Sequence, residues 1–351
     1  MIEIAYCLFP SFSEMFMSWH PRVAFAMNRD DHLAAFPASL LERLGSIAEV
    51  ITPLPMEEFD SAASRELLAE TEVLITGWGA PRFGLATLAQ APHLRAIVHA
   101  AGTVRTFLDP AVYDRGIRVS TCASANAIPV AEFTLASIVF GLKRASRFAE
   151  RLRRTKAVRD TAGFPPIGTN GVTVGLIGAS RVGRETLRML RTLDVRILLH
   201  DPYLSPAAAA ELGAELVGLD ELCRRSDAVS VHAPLTAQTV GMIGAHELSL
   251  MRDGTVLVNT ARGAIIDTAA LTTELVAGRL DAYLDVVHPE PLPADSPLYG
   301  LPNVVITPHI AGALGNEIVR LGELAVDEVA RFAASDTFDH EVRSADLAIT
   351  A

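Results

Sequence analysis

Cysteine is scarce in this sequence. Cys7, Cys122 and Cys223 are spread over 351 residues, with no CxxC pair and no histidine beside them at metal-ligand spacing. A disulfide-stapled scaffold is thereby excluded, and no metal is expected. Buried small hydrophobes in a reducing cytoplasm account for all three. Positive charge is also in short supply: 30 Lys and Arg stand against 41 Asp and Glu, a formal net charge of −11. Nucleic acid and anionic membranes both need a basic face, so neither is expected as a partner. No apolar run reads as long enough to span a bilayer. The opening "MIEIAYCLFP" has no basic n-region and no cleavage site, and it carries Glu3 early. It reads as a first strand, not a signal peptide, and a cytoplasmic location is expected. Repeats and low-complexity tracts are missing as well.

What is present is apolar material for two cores: half the residues are hydrophobic, and the length suits two domains. Short β-branched runs alternate with helical patterns, as in parallel α/β sheets. In the first third, strands are expected near 2–9, 48–54, 73–78, 94–100 and 117–121. Residues 11–36 are rich in Met and Phe without a clean period and read as an irregular insertion or short helices, a candidate subunit contact. A long helix is expected over 127–154, with Pro129 in its first turn and a basic end. Turn chemistry at 160–171 leads into a second sheet, with strands expected at 172–178, 195–201, 228–232, 255–260, 282–287 and 304–307. Six strands with helical connections match two mononucleotide-binding halves. The amphipathic stretch 316–334 is expected to pack back on the first domain.

The second sheet opens with "VGLIGASRVG", residues 174–183. This reads as a strand ending in a phosphate-binding turn. Gly178 gives backbone freedom at the turn, and Gly183 lets helix and strand approach closely. The middle glycine of the fingerprint is replaced by Ser180, followed by Arg181 and Val182. A serine is a mild replacement, and its hydroxyl can itself donate to a phosphate oxygen at the helix N-terminus. Asp201 closes "VRILLHD", 18 residues after Gly183. A carboxylate there accepts from the ribose hydroxyls and repels a 2′-phosphate, which points to NAD over NADP.

Three further stretches follow: "SVHAPLTAQTVGMIG" (230–244), "MRDGTVLVNTARGAIID" (251–267) and "LDVVHPEPLPADSPLYGLPNVVITPHIAG" (284–312). With "VGLIGASRVG" they resemble, in order and spacing, the signature segments of the D-isomer-specific 2-hydroxyacid dehydrogenases. The resemblance is strong over 171–312. It is weaker upstream, where "LRAIVHAAGT" and "NAIPVAEFTLA" are similar to that family's substrate loop and interdomain helix.

The resemblance implies that Arg262, Glu290 and His309 are the catalytic residues and that Asp285 orients the nicotinamide carboxamide. It also implies that His232, Pro234, Thr239, Thr260, Ala261 and Gly312 line the cofactor. Taken singly, each of the catalytic three has an ordinary reading, as a surface arginine, a solvated loop carboxylate and a core histidine. As an ordered set at the carboxyl ends of the strands they fall where doubly wound sheets bind ligands.

The implied chemistry needs these residue types. A 2-oxo acid carries a carboxylate beside a ketone, and the planar fork of Arg262 can hold the carboxylate. Hydride arriving at the ketone carbon leaves an alkoxide that needs a proton, which His309 can give near neutral pH. Glu290 would bond the other ring nitrogen and favour the protonated imidazole.

The substrate loop "HAAGTVRTFLDP" departs from the family in having Arg105 where many members carry Asn, a candidate reader of a second anionic group. The backbone amides of Ala101 and Gly102 are candidate carboxylate ligands, and Trp78 and Gly79 are candidates to line the cleft. His288 reads as a bystander. Glu290 argues against formate dehydrogenase chemistry, where glutamine pairs with the histidine. With no long extension before residue 351, a serine-sensing regulatory domain is not expected.

The expected architecture is two doubly wound parallel-sheet α/β domains: a flavodoxin-like substrate domain (1–126 plus 313–351) and a Rossmann NAD domain (127–312), with a cleft between. The expected function is NAD-dependent dehydrogenation of a D-2-hydroxy acid or reduction of the 2-oxo acid, in a homodimer. A corepressor-like NAD sensor on the same fold is the second reading, and phosphite oxidation a third.

Overall fold

The computed structural model describes residues 19–156 and 168–348. The expected strand at 2–9, the first part of the 11–36 segment and most of the 160–171 connection lie outside the described residues.

Two all-parallel sheets organise the chain. The first has β1 (Arg22–Ala26), β2 (Glu49–Val50), β3 (Val73–Thr76), β4 (Ala96–His99) and β5 (Arg118–Thr121) in the order β2-β1-β3-β4-β5. This is the flavodoxin-like order. The expectation of an irregular insertion or short helices over 11–36 needs correcting in part: a short helix is there, but so is a strand. Residues 22–26, RVAFA, form a central strand, and residues 29–35 a helix. A strand covered on both faces shows no alternation, and this one contributes only one β-branched residue, so its pattern gave no signal.

The second sheet has β6 (Val172–Ile177), β7 (Val195–His200), β8 (Glu215–Leu216), β9 (Ala228–Val231), β10 (Val256–Asn259), β11 (Asp281–Leu284) and β12 (Val304–Ile306), in the order β12-β11-β10-β9-β6-β7-β8. All six expected strands are present, and β8 adds a two-residue edge. The order reverses between β6 and β9, the crevice where such sheets bind ligands.

The expected helix 127–154 is two helices. The first, Ala123–Leu142, begins a turn earlier and takes Pro129 in its interior. It ends where Arg144 adopts a left-handed conformation (φ 56°) and turns its buried guanidinium onto Asp281 (2.6 Å). The second spans Ala145–Thr155.

Ala123–Leu142 also corrects the reading that no apolar run could span a bilayer. Within its 20 residues an 18-residue stretch reaches a mean hydropathy of 1.5, sufficient by length and composition. Its apolar surface has another use: it packs against β9, β10 and β11 and against the helices Arg181–Leu190 and Val319–Ser335. A helix covered on several sides reads as apolar nearly all round.

The helix Val319–Ser335 packs on the first sheet, as the amphipathic pattern predicts. Leu321, Ala325, Val329 and Phe332 join one core with Val23, Phe25 and Leu44. A Cβ on Gly322 would stand 1.9 Å from the Ala35 carbonyl oxygen, so only glycine permits this approach. Beyond the helix the chain returns to the sheet edge. Val342 N donates to Val119 O (2.8 Å) and Thr121 N to His340 O (3.2 Å). Fully buried Glu328 secures this return by accepting from Ser120 Oγ (2.5 Å) and His340 N (3.1 Å).

Candidate active site

A cleft of about 1050 Å³ lies over the switch point of the second sheet, walled on its other side by Gly102, Thr103, Ala123 and Asn126. The volume is ample for a cofactor-sized ligand.

The glycine-rich turn forms its floor. β6 runs into Gly178 at φ +98°, where a Cβ would stand 2.7 Å from Ala233 N. A Cβ on Gly183 would lie 2.3 Å from Gly178 O. Both glycines are therefore required by space. Ser180 is not in conflict with the turn: at φ −62° it is the N-cap of the helix Arg181–Leu190, and its Oγ accepts from Gly183 N (3.2 Å). Its hydroxyl proton remains available to donate into the cleft. The serine substitutes capping for backbone freedom. Arg181 and Val182 follow on the cleft wall.

Asp201 sits just past β7. Its Oδ2 accepts from Ala179 N (2.8 Å) and its Oδ1 from Tyr203 N (2.9 Å), so the carboxylate is fixed against the turn. His232, Pro234, Thr239, Thr260 and Ala261 all line the same cleft. Their side chains also have internal tasks. The His232 Nε2 pairs with Ser230 Oγ (2.9 Å), and full burial pushes its pKa down to about 3, so the ring is neutral. Thr239 Oγ1 donates to Pro234 O (2.6 Å) and accepts from Thr236 N (2.8 Å), which folds the loop on itself. Thr260 Oγ1 pairs with Thr134 Oγ1 (2.8 Å) and pins the end of β10 to the long apolar helix.

Arg262 follows β10. Buried Asn259 shapes its turn by accepting from Ala261 N and donating to Arg262 O, each at 3.0 Å. Gly263 is required next to it, because a Cβ there would lie 2.0 Å from Val287 O. Burial holds the half-buried Arg262 guanidinium below its ordinary pKa; Glu290 opposes this and Arg105 adds to it. A partly desolvated cation of this kind is stabilised by an incoming carboxylate.

His309 follows β12 in a left-handed conformation (φ 57°). Its Nδ1 is 2.8 Å from Glu290 Oε1, and both side chains are about half exposed. The carboxylate fixes the ring and leaves Nε2 as the exchanging atom. Asp285, nearly fully buried, holds the loop beneath. Its Oδ1 accepts from Thr307 Oγ1 (2.6 Å) and Ile310 N (2.8 Å), its Oδ2 from Ala311 N (2.9 Å), and its backbone O from His309 N (3.0 Å). Every one of these donors belongs to the segment that carries His309.

The structure thus gathers the glycine turn, Asp201, the 232–239 loop and Arg262 in one cleft, with Glu290 in electrostatic reach of Arg262. Of the substrate-loop candidates, Gly102 is a cleft wall. Ala101 is fully buried, and Arg105 acts on Arg262 through its charge. Trp78 packs against the core of the first sheet and is not among the cleft walls. Gly312 abuts Asn126, which is a wall. Asn126 and Asn259 were not singled out from sequence. Their signal was a lone amide at an apolar element's end.

The D-isomer specific 2-hydroxyacid dehydrogenase NAD binding domain profile matches residues 135–311. Glyoxylate reductase of Aeropyrum pernix is 34% identical over 252 residues, 70% of this chain and 75% of that protein. D-3-phosphoglycerate dehydrogenase of Archaeoglobus fulgidus is 35% identical over 224 residues, 64% of this chain but 42% of that protein. The chain spans about half the length of the D-3-phosphoglycerate dehydrogenases it matches. Among solved structures, apo D-mandelate dehydrogenase of Rhodotorula graminis superposes with a TM-score of 0.75 at 25% identity, covering 89% of this chain and 94% of that one. By profile, sequence and fold, and with an NAD-binding domain where the glycine turn lies, the chain belongs to the D-isomer-specific 2-hydroxyacid dehydrogenases.

Proposed function

We propose that this protein is an NAD-dependent dehydrogenase interconverting a D-2-hydroxy acid and its 2-oxo acid, with Arg262, Glu290 and His309 as catalytic residues. The single observation that carries the reading is the Glu290–His309 pair at 2.8 Å, within electrostatic reach of the desolvated Arg262 beside a dinucleotide turn. A nicotinamide cofactor supplies or accepts hydride when bound. The residues present fit it: two glycines that no Cβ could replace, a fixed Asp201 and a cleft of sufficient size.

The protein's own residues do the rest. Arg262 binds the substrate carboxylate through paired N–H donors, and the amides near Gly102 close over its other side. His309 holds a proton at Nε2 and gives it to the alkoxide oxygen as the ketone is reduced; in oxidation Nε2 takes it back. Glu290 keeps the ring in one orientation by accepting from Nδ1. Asp201, facing the ribose, favours NAD over NADP. In this reading 1–126 plus 313–351 form the substrate domain and 127–312 the cofactor domain. Closure on hinges near 126 and 312 excludes water from the reacting atoms. A homodimer, expected from the family, is tested by light scattering.

The decisive assay is NADH oxidation across a panel of 2-oxo acids of increasing bulk, with an NADPH series alongside. Turnover with one clear favourite supports the reading and names the substrate. Tight NADH binding without turnover on any acid overturns it in favour of a sensor.

A further inference from the structure

Between the two sheets the described chain crosses twice: once after β5, into the helix Ala123–Leu142, and once after β12, into the helix Val319–Ser335. One side chain touches both crossings. Asn126, in the first turn of the first helix, accepts at Oδ1 from Ala313 N (2.9 Å). Its carboxamide is so close to the second crossing that a Cβ on Gly312 would lie 3.2 Å from Oδ1. On its other side Nδ2 faces the substrate loop, 3.9 Å from where a Cβ on Gly102 would stand.

Ala313 is four residues beyond His309. The segment carrying the proton donor is therefore held at two points. Asp285 fixes 309–311 to the second sheet, and Asn126 fixes 313 to the helix start that walls the cleft beside Gly102 and Thr103.

We propose that Asn126 is a positioning residue for the reaction: its carboxamide oxygen keeps the His309 segment in register with the substrate loop across the cleft. The inference rests on the dehydrogenase reading for its catalytic consequence but not for its structural one. A fixed acceptor at this point sets where the substrate, seated on Gly102, lies relative to Nε2 of His309. Hydride and proton transfer demand alignment within a fraction of an ångström, and a misplacement of about 1 Å costs on the order of 10²-fold in rate. A side chain that joins both crossings without touching either reacting atom is suited to that task.

Two variants separate the possibilities. Asn126→Ala removes the acceptor; Asn126→Asp is isosteric and keeps it. Hydrogen exchange at the Ala313 amide reads the clamp directly and needs no turnover. Exchange is expected to speed at least tenfold in Asn126→Ala and to stay near the wild-type rate in Asn126→Asp. With the favoured 2-oxo acid, kcat is expected to fall at least tenfold in Asn126→Ala and to recover to within about threefold in Asn126→Asp. Unchanged Ala313 exchange in Asn126→Ala overturns the clamp. Faster exchange with unchanged kcat overturns the positioning role, as does Asp failing to rescue kcat. A wild-type protein inert on every acid would refute the dehydrogenase reading, while the exchange result would still decide the clamp.

Discussion

Removing the Asp285 carboxylate should misplace His309 more than it weakens cofactor binding. Asp285→Ala strips the acceptor from three donors: Thr307 Oγ1, Ile310 N and Ala311 N. A donor left unsatisfied in a buried place costs about 1–3 kcal/mol. Ala311 is buried, whereas Thr307 and Ile310 are partly exposed and can turn to water. Taking the first in full and the others at a fraction gives a loss of roughly 2–4 kcal/mol. Asp285→Asn should lose nearly as much, because its amide nitrogen must face one of these donors. The freed loop carries His309, so kcat should fall by about 10²-fold. The assay is urea unfolding followed by far-UV circular dichroism, with NADH titration and turnover on the same preparations. Tryptophan fluorescence is the wrong probe, since Trp19 and Trp78 both pack in the first domain. Stability unchanged within about 0.5 kcal/mol, together with a tenfold rise in NADH Kd, would refute the reasoning. It would mean that the carboxylate serves the cofactor and not the loop.

Three other outcomes are expected. His309→Ala should abolish most turnover while NADH binds as before; loss of both together would make the histidine structural. Asp201→Ala should weaken NAD and narrow its gap to NADP, and because it also frees Ala179 N the glycine turn should exchange its amides faster; an unchanged cofactor preference would remove the ribose contact. Stability should fall on acidification through the fully buried His99 and His232, both held neutral with pKa values near 3. Their folded pKa values lie below the unfolded value of 6.5, so the unfolded chain gains protons first. Their contribution is complete above about pH 6.5 and declines toward pH 3, by at most about 1.4 kcal/mol per pH unit for each ring. An acid transition whose steepness is unchanged in His99→Phe would count against it for that residue.

The second domain was legible because its chemistry and its strands coincide. Several candidate residues stand at the end of a β-branched run, so "VGLIG", "VLVN" and "VVIT" announce both the strand and the candidate site, whereas Glu290 lies in a loop beyond β11. The first domain was less so. "RVAFA" carries no alternation and was masked by its Met- and Phe-rich surroundings, although it is the strand on which the sheet order turns. Pro129 suggested a helix start that the chain places at Ala123, because the surrounding packing tolerates a proline in the interior. Gly178 and Gly183 could be argued from the fingerprint. Gly263 and Gly322 could not, because what they avoid, Val287 O and Ala35 O, is close only in three dimensions. Asn126 and Asn259 escaped for the same reason: a side-chain amide that binds backbone far along the chain leaves no periodic trace. Ser180, a mild replacement in the motif, is the cap of its helix.

The return of the helix Val319–Ser335 to the first sheet has a consequence for synthesis. β1 through β5 are complete by Thr121, yet the helix that covers one face of that sheet begins about 200 residues later. At ribosomal rates of about 5–20 residues per second, that face waits on the order of 10–40 s for its cover. The second domain, unbroken in sequence from β6 to β12, can fold during the wait. The newborn chain thus carries a finished cofactor domain attached to a sheet whose apolar face is only partly covered, by the helices Arg29–Ala35 and Ala38–Gly45. A message cut short before residue 319 would leave that face covered only by these two helices.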